Sequence, residues 1–102
     1  MLKQYHVTPL AATETDLIPT VTAGKAVAFE DVAITAVTAA DVEINVYDGV
    51  PAKVHTEFIT VTAGDTFHSE MKRYITAGAK VTVESDQADT TFSIYGVETD
   101  NA

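Results

Sequence analysis

One four-residue phrase occurs three times in this chain, and each copy joins two β-like runs. The copies lie at residues 21–24, 61–64 and 75–78, and each ends in Thr-Ala-Gly. Glycine reaches positive φ without a steric cost, so Gly24, Gly64 and Gly78 are predicted to make tight reversals between strands. No stretch between the copies has a helical period, and the chain is therefore predicted to be all-β.

Alternating apolar and polar residues predict about seven or eight short strands. The clearest alternation is at residues 41–47, where Val42, Ile44 and Val46 share one side of a strand. Turn signals recur between the runs, a pattern typical of a single antiparallel β-sandwich or jelly-roll-like domain. The three copies of the repeated phrase are unequally spaced, which excludes a solenoid or propeller.

The longest apolar stretch, residues 25–37, changes side within one strand. Val27 and Phe29 lie at odd positions, whereas Val32 and Ile34 lie at even ones. A plain strand cannot change parity and keep one face buried, so a β-bulge or bend is predicted at residues 30–31. A helix is rejected because the stretch is rich in Val, Thr and Ile.

Two further segments carry specific expectations. Residues 52–62 are predicted to form a strand with a second parity shift, from Val54 and Phe58 at even inward positions to Ile59 and Val61 at odd ones. Residues 17–21 are predicted to form a short edge strand, because Pro19 cannot donate to a central ladder.

The last third of the chain is predicted to hold three more strands. Residues 66–75 are read as a strand that a turn near Lys72 breaks. Residues 79–84 and 90–98 are read as a terminal hairpin, since the polar segment between them is short.

Length and composition favour one small domain that gains stability from assembly. The chain has 102 residues, 46% of them hydrophobic, and no cysteine. Without disulfides, a small domain gains stability most simply by forming a homo-oligomer or by docking on a larger body. We expect an N-terminal strand or arm at residues 1–13 and the β-sandwich domain at residues 14–102.

The net charge of −9 excludes classes of partner. An acidic surface repels nucleic acid and anionic membranes, so neither is an expected partner. The N-terminal residues contain no apolar signal segment and no run is long enough to span a bilayer, so synthesis in a cytoplasm is expected.

Known chemistries find little support in the residue pattern. His6, His55 and His68 are far apart, so no metal site is predicted. Asp86 and Asp89 share a loop that leaves Ca²⁺ binding open as an alternative.

Catalysis and ligand binding are equally weakly marked. His68 and Ser69 are neighbours on a strand and point to opposite faces, so no catalytic or cofactor site is predicted. Tyr47 and Tyr95 fall on outward positions, which suits a protein interface or a platform for a sugar.

The order of the motifs between residues 14 and 98 resembles small β-sandwich proteins from the virions of tailed bacteriophages. The matching segments are Leu-Ile-Pro-Thr-Val-Thr-Ala-Gly-Lys at 17–25, the hairpin-like 34–44, Ala-Gly-Asp at 63–65, and Ser-Ile-Tyr-Gly-Val-Glu at 93–98. The resemblance implies a non-enzymatic virion structural protein, most concretely a capsid decoration or cement protein that docks on the major capsid protein.

Several alternatives and residues complete this expectation. A tail or baseplate accessory protein, or a receptor- or carbohydrate-binding module, is the alternative function. The expected partners are the major capsid protein, other virion proteins and further copies of the chain. The candidate interface residues are apolar and lie in the first 18 positions: Leu2, Tyr5, Val7, Leu10, Leu17 and Ile18.

Overall fold

The computed structural model describes residues 1–48 and 52–101, and these residues form eight β-strands. The strands are β1 (Leu2–Val7), β2 (Thr15–Ile18), β3 (Lys25–Ala36), β4 (Ala40–Asp48), β5 (Ala52–Val61), β6 (Thr66–Thr76), β7 (Lys80–Ser85) and β8 (Thr90–Asp100). The all-β prediction is confirmed. The sequence Asp-Gly-Val-Pro at residues 48–51 predicts a turn, and its last three residues lie outside the described residues. No helix in the described part of the chain could cross a membrane.

The strands form two antiparallel four-stranded sheets. Sheet A has the order β1-β8-β3-β6, and sheet B has the order β2-β7-β4-β5. One hydrophobic cluster fills the space between the sheets, with Phe92, Ile34 and Ile44 among its fully buried members. Eight strands in two such sheets make a β-sandwich with the strand order of a jelly roll, as the sequence predicts.

Most connections in the described chain cross from one sheet to the other. Among the described strands, β4 and β5 are the pair that is consecutive in sequence and hydrogen-bonded in one sheet. The predicted terminal hairpin is therefore wrong, because β7 belongs to sheet B and β8 to sheet A. The short segment at residues 86–89 spans the sandwich instead of folding one strand back on its neighbour.

The three Thr-Ala-Gly phrases also make crossings, and they share one geometry. In each, the threonine carbonyl accepts a hydrogen bond from the amide three residues later: Lys25 to Thr22, Asp65 to Thr62 and Ala79 to Thr76. Gly24, Gly64 and Gly78 have φ of 80°, 77° and 89°, the values of the third position of a type II turn. The phrase is thus a recurrent device for passing between sheets, not a hairpin reversal.

The predicted bulge at residues 30–31 is confirmed. Against β8, Phe29 pairs with Gly96 and Val32 with Ile94, so β3 has two residues where β8 has one. The shift lets Phe29 and Val32 both face the core although their positions differ in parity.

A second bulge lies beside the first, on β6. Between Arg73 and Glu70 this strand has one more residue than β3 has between their partners, Phe29 and Asp31. The predicted turn near Lys72 is therefore wrong, because β6 continues from Thr66 to Thr76 and absorbs the extra residue in the ladder.

The predicted inward face of β5 is right for Ile59 and Val61 and wrong for Val54 and Phe58. Val54 and Phe58 are exposed, whereas Ile59 packs against the core and Val61 is buried. The register of β4 and β5 shifts where Val46 pairs with His55 and Tyr47 with Lys53, which leaves Val54 as the extra residue. The odd positions of β5 therefore supply its contact with the core.

Gly96 permits a close contact inside sheet A. A Cβ atom at this position would lie 2.9 Å from Cγ1 of Val27 and 3.2 Å from Cε2 of Tyr5. Glycine is therefore needed there for β1 and β3 to pack their side chains against the middle of β8.

Candidate functional site

The structure divides the six candidate interface residues into three groups. Leu2 and Leu10 are 68% and 74% exposed. Tyr5 and Val7 are half-buried, and they pack against the core from β1.

Leu17 and Ile18 form the third group, and they are only 3% and 1% exposed. This corrects the expectation that their side chains face a partner, because both belong to the core cluster. The short strand β2 turns these residues toward sheet A, so a partner could reach its backbone edge but not these side chains.

The four edge strands differ in how well they are protected against pairing with another chain. Edge strands are commonly protected by shortness, proline, charge or a bulge. β2 has four residues and is followed by Pro19; β5 and β6 carry register shifts and charged side chains. β1 pairs with β8 in continuous register, contains no proline, and has a single charged residue, Lys3, which forms an ion pair with Glu98. It is the least protected edge.

The outer face of sheet A carries a row of apolar side chains across all four strands. Leu2 pairs with Val97, Val97 with Ala28, and Ala28 with Tyr74. Tyr95 lies two residues from Val97 on the same face of β8. This row is an exposed apolar band on an otherwise acidic protein.

A groove of about 640 Å³ lies along this row, where the two bulges adjoin. Ala28 and Val97 line it between two tyrosines, Tyr74 and Tyr95, which are 61% and 60% exposed. Within the described chain neither tyrosine hydroxyl has a hydrogen-bond partner. We call this feature the bulge groove.

The polar lining of the bulge groove comes from the bulges themselves. Glu30 and Asp31 come from β3, and Lys72 and Arg73 from β6. Nζ of Lys72 lies 4.0 Å from Oε1 of Glu30, and both side chains are largely exposed. The two carboxylates and the two cations balance formally, so the groove is locally neutral although the chain is strongly acidic.

The outer face of sheet B carries a different arrangement, centred on Glu14. Oε2 of Glu14 accepts hydrogen bonds from Oγ1 of Thr82 and from the hydroxyl of Tyr47, both at 2.5 Å. Nδ2 of Asn45 lies 3.5 Å from the same oxygen, and Oδ1 of Asn45 accepts from Oγ1 of Thr56 at 2.9 Å. The cluster ties the segment before β2 to three strands of sheet B.

These hydrogen bonds shift two pKa values in opposite directions. Donation from Thr82 and then Tyr47 lowers the pKa of Glu14. The same bond to Glu14 raises the pKa of Tyr47, because it stabilises the protonated phenol. Lys80 and Lys53 lie 5.3 and 5.8 Å from the centre of the Tyr47 ring, so two cationic side chains adjoin the cluster.

Sequence reasoning missed the Glu14 cluster. The alternation at residues 41–47 predicts that Asn45 lies on the outward side of β4, which is correct, but Asn45 and Thr82 are both buried there. The signal in the sequence was the amide of Asn45 among the alternating apolar residues of β4. This signal does not reveal that the distant carboxylate of Glu14 lies beside it.

The residues considered for catalysis do not converge. Ser69 is buried, and its Oγ donates to Oε1 of Glu57 at 2.5 Å, which links β6 to β5. His68 is exposed, on the opposite side of the strand. The described residues include no group of three or more His, Cys, Asp or Glu side chains placed to hold a metal ion.

The loop carboxylates considered for Ca²⁺ have local partners. Oδ2 of Asp89 accepts from Oγ1 of Thr38 at 2.7 Å. Oδ1 of Asp86 accepts from the amide of Asp41 at 3.0 Å. Asp89 thereby joins the loop at residues 86–89 to the connection before β4, and Asp86 joins it to the start of β4, which is a structural role for acidic turn residues.

Comparisons with known proteins add one structural likeness. No protein-family profile matches the chain, and no curated protein matches it. A solved structure, described as a pentameric capsid protein isolated from metagenomic phage sequences, is similar over 93% of this chain, with 16% identity and a TM-score of 0.44. This chain spans 59% of the length of that protein.

Proposed function

We propose that this chain is a structural component of a bacteriophage virion that acts as a homo-oligomer. The more specific form of the proposal is a capsid decoration protein that docks on the major capsid protein and stabilises the shell; a tail accessory protein is the alternative. The order of strand and turn motifs between residues 14 and 98 supports the proposal. The jelly-roll strand order supports it too, because this architecture recurs among viral capsid domains.

The observation that carries the assembly part of the proposal is the free edge of β1. This strand has fewer of the devices that protect the other edges, and its unpaired backbone groups can accept a strand from a neighbouring subunit. Exposed leucines lie near its two ends, Leu2 at the start and Leu10 three residues past the end. An added strand would bury both, so backbone pairing and apolar burial would act together.

The same geometry gives the N-terminal segment its proposed role. Tyr5 and Val7 anchor β1 to the core, while Leu2 and Leu10 remain available to a partner. The segment at residues 1–13 is thus proposed to act as a contact element that stays within the sandwich. Many copies on one shell would make weak single contacts effective.

The test uses particles from a phage in which the gene is deleted. Purified chain is added to these particles, and bound chain is quantified after sedimentation through a density gradient. The expected result is saturable binding at a fixed ratio to the major capsid protein. A double variant, Leu2→Ser with Leu10→Ser, is expected to weaken binding at least tenfold, since it removes two exposed apolar contacts.

A matched variant separates loss of contact from general loss of apolar surface. Phe58→Ser removes an exposed aromatic side chain from β5, on the opposite side of the sandwich, and is expected to bind like the unmodified chain. The virion proposal is overturned if gradient-purified wild-type particles contain none of the chain by mass spectrometry. The β1 proposal is overturned if the leucine variant binds normally.

A further inference from the structure

We propose that the bulge groove on sheet A binds a neutral oligosaccharide. The inference does not depend on a virion role, because the groove belongs to the isolated chain. It rests on the shape of the groove, on its two free tyrosines and on the balance of its charges.

The shape of the bulge groove suits a small extended ligand. Its volume of about 640 Å³ lies within the usual range of ligand sites, roughly 300–1,000 Å³. Tyr74 is on β6 and Tyr95 on β8, two strands away across the sheet, so their backbones are roughly 10 Å apart across the strands. That distance leaves room for one sugar ring between them, lying over Ala28 and Val97.

The apolar lining matches one side of a sugar ring. A pyranose presents C–H groups on its faces and hydroxyl groups around its rim. Ala28 and Val97 offer apolar contact, and the tyrosine rings offer flat apolar faces with a hydroxyl at the tip.

The polar lining matches the hydroxyl rim of the ligand. Glu30 and Asp31 accept hydrogen bonds, and Lys72 and Arg73 donate them. A hydroxyl group can both donate and accept a hydrogen bond, so each of the four side chains can bond to a hydroxyl of the sugar. Because two carboxylates and two cations line it, the groove favours neither an anion nor a cation, and a neutral ligand is the best electrostatic match.

The bulges explain how one surface holds both kinds of group. A regular strand alternates its side chains between faces, which would separate adjacent charged residues. The extra residue of β3 places both Glu30 and Asp31 on the outer face, between buried Phe29 and Val32, and bulges commonly re-aim side chains in this way beside binding sites. With Lys72 and Arg73 of β6, four charged residues border one groove.

The experiment is a titration of the isotope-labelled chain, followed by amide chemical shifts, with maltotriose, cellotriose and the trisaccharide of β-1,4-linked N-acetylglucosamine. At least one probe is expected to shift amides of residues 28–31, 72–74 and 95–97 saturably at millimolar concentration, the range expected for a single small site. Tyr95→Ser and Tyr74→Ser are each expected to weaken that binding at least tenfold. Tyr47→Phe, on sheet B, is the matched control and is expected to bind unchanged.

Several results would overturn the proposal. One is the absence of saturable shifts with all three probes up to about 10 mM, which would mean that each binds more weakly than the proposal expects. Shifts confined to another surface would overturn it, as would unchanged binding by both serine variants. Concentration-dependent shifts of the same amides without sugar would identify a second copy of the chain as the occupant instead. Thermal unfolding of the variants confirms that they are folded.

Discussion

The outer faces of the two sheets both carry tyrosines, but these tyrosines have different roles on the two faces. On sheet B the hydroxyl of Tyr47 donates to Glu14, and two lysines lie near its ring. On sheet A, Tyr74 and Tyr95 are largely exposed, and their hydroxyls have no hydrogen-bond partner among the described residues. Tyr47 thus helps to hold sheet B together, whereas Tyr74 and Tyr95 on sheet A leave their hydroxyls available for binding.

The difference shows which property each face affects, the stability of the fold or the binding of a partner. Polar groups that satisfy one another inside the chain stabilise the fold, and removing one partner leaves another unpaired. Polar groups that await a partner add little to stability and remain available for binding. Substitutions on sheet B should therefore change the free energy of unfolding, and substitutions on sheet A should change binding.

The largest expected loss of stability comes from deleting Asp31, because the deletion removes the bulge of β3. The deletion shifts every later residue of β3 by one position, so Val32 and Ile34 would turn from the core to the outer face. Exposing two such side chains costs about 3–6 kcal/mol, a large part of the stability of a small domain. We expect loss of cooperative unfolding, measured by circular dichroism during urea titration.

The substitution Asp31→Ala is the control for that deletion. It keeps the residue count, and hence the bulge, while removing the carboxylate. A stability within about 0.5 kcal/mol of the unmodified chain is expected, because the side chain is exposed. If the deletion were as mild as the substitution, the bulge would not be what sets the two parities of β3.

The second prediction compares Asn45→Ala on sheet B with Ser93→Ala on sheet A. Asn45 is buried and bonds to Thr56 and Thr82, whereas Ser93 faces outward and is half-exposed. Asn45→Ala should lower the free energy of unfolding by about 2–3 kcal/mol, because it leaves a cavity and unpaired groups. Ser93→Ala should change it by less than about 0.5 kcal/mol. Similar losses for both variants, in urea titrations, would show that the two faces do not differ.

The third prediction concerns pH and Glu14. The pKa of Glu14 is lower in the folded chain than in the unfolded chain, because Thr82 and Tyr47 donate to the carboxylate. Its contribution is therefore fully present above the unfolded pKa of about 4.3 and is lost as the pH falls through the lower folded value. At pH 7, Glu14→Gln should cost about 1–1.5 kcal/mol, an estimate held low because the carboxylate is exposed.

The pH profile sharpens the test. Between about pH 5 and pH 3 the unmodified chain should lose more stability than Glu14→Gln, since only the former has this carboxylate to protonate. Asp100→Asn is the comparison variant: the pKa of Asp100 is also lowered, by its hydrogen bond to Lys25, but this pair is exposed. Parallel profiles for the unmodified chain and Glu14→Gln would contradict the assignment.

The two bulges show what a sequence pattern can and cannot reveal. The bulge in β3 changes the parity of its buried residues, so it was predictable from Phe29 and Val32 alone. The bulge in β6 leaves its buried residues, Ser69, Met71 and Ile75, all at odd positions. It therefore gives no signal in the sequence, and the bulge groove, which needs both, could not be predicted.

The sequence also could not show which sheet each strand joins or which distant residues become partners. A short polar segment between two strands, such as residues 86–89, is compatible with a hairpin or with a crossing, and only pairing with distant strands decides between them. Phe58 looks like a core residue by type, yet β5 turns it outward. Glu14 precedes β2 by one residue and is 31 positions from Asn45, its partner on β4.

The smallest expected effect is also the most direct test of the comparison, because it removes one hydroxyl from each face. Tyr47→Phe leaves the ring and its neighbouring lysines in place but takes away the hydrogen bond to Glu14, and it should cost about 1 kcal/mol. Tyr95→Phe removes a hydroxyl that faces solvent, and it should change stability by less than about 0.5 kcal/mol. Both variants are compared by urea titration at pH 7, where Glu14 is ionised.

Equal losses would mean that the Tyr47 bond is no stronger than hydration of a free phenol, so sheet B would be held by Asn45 and Thr82 without it. A larger loss at Tyr95 would reverse the assignment of the two faces, because the hydroxyl taken here as free for a ligand would then be the one that supports the fold.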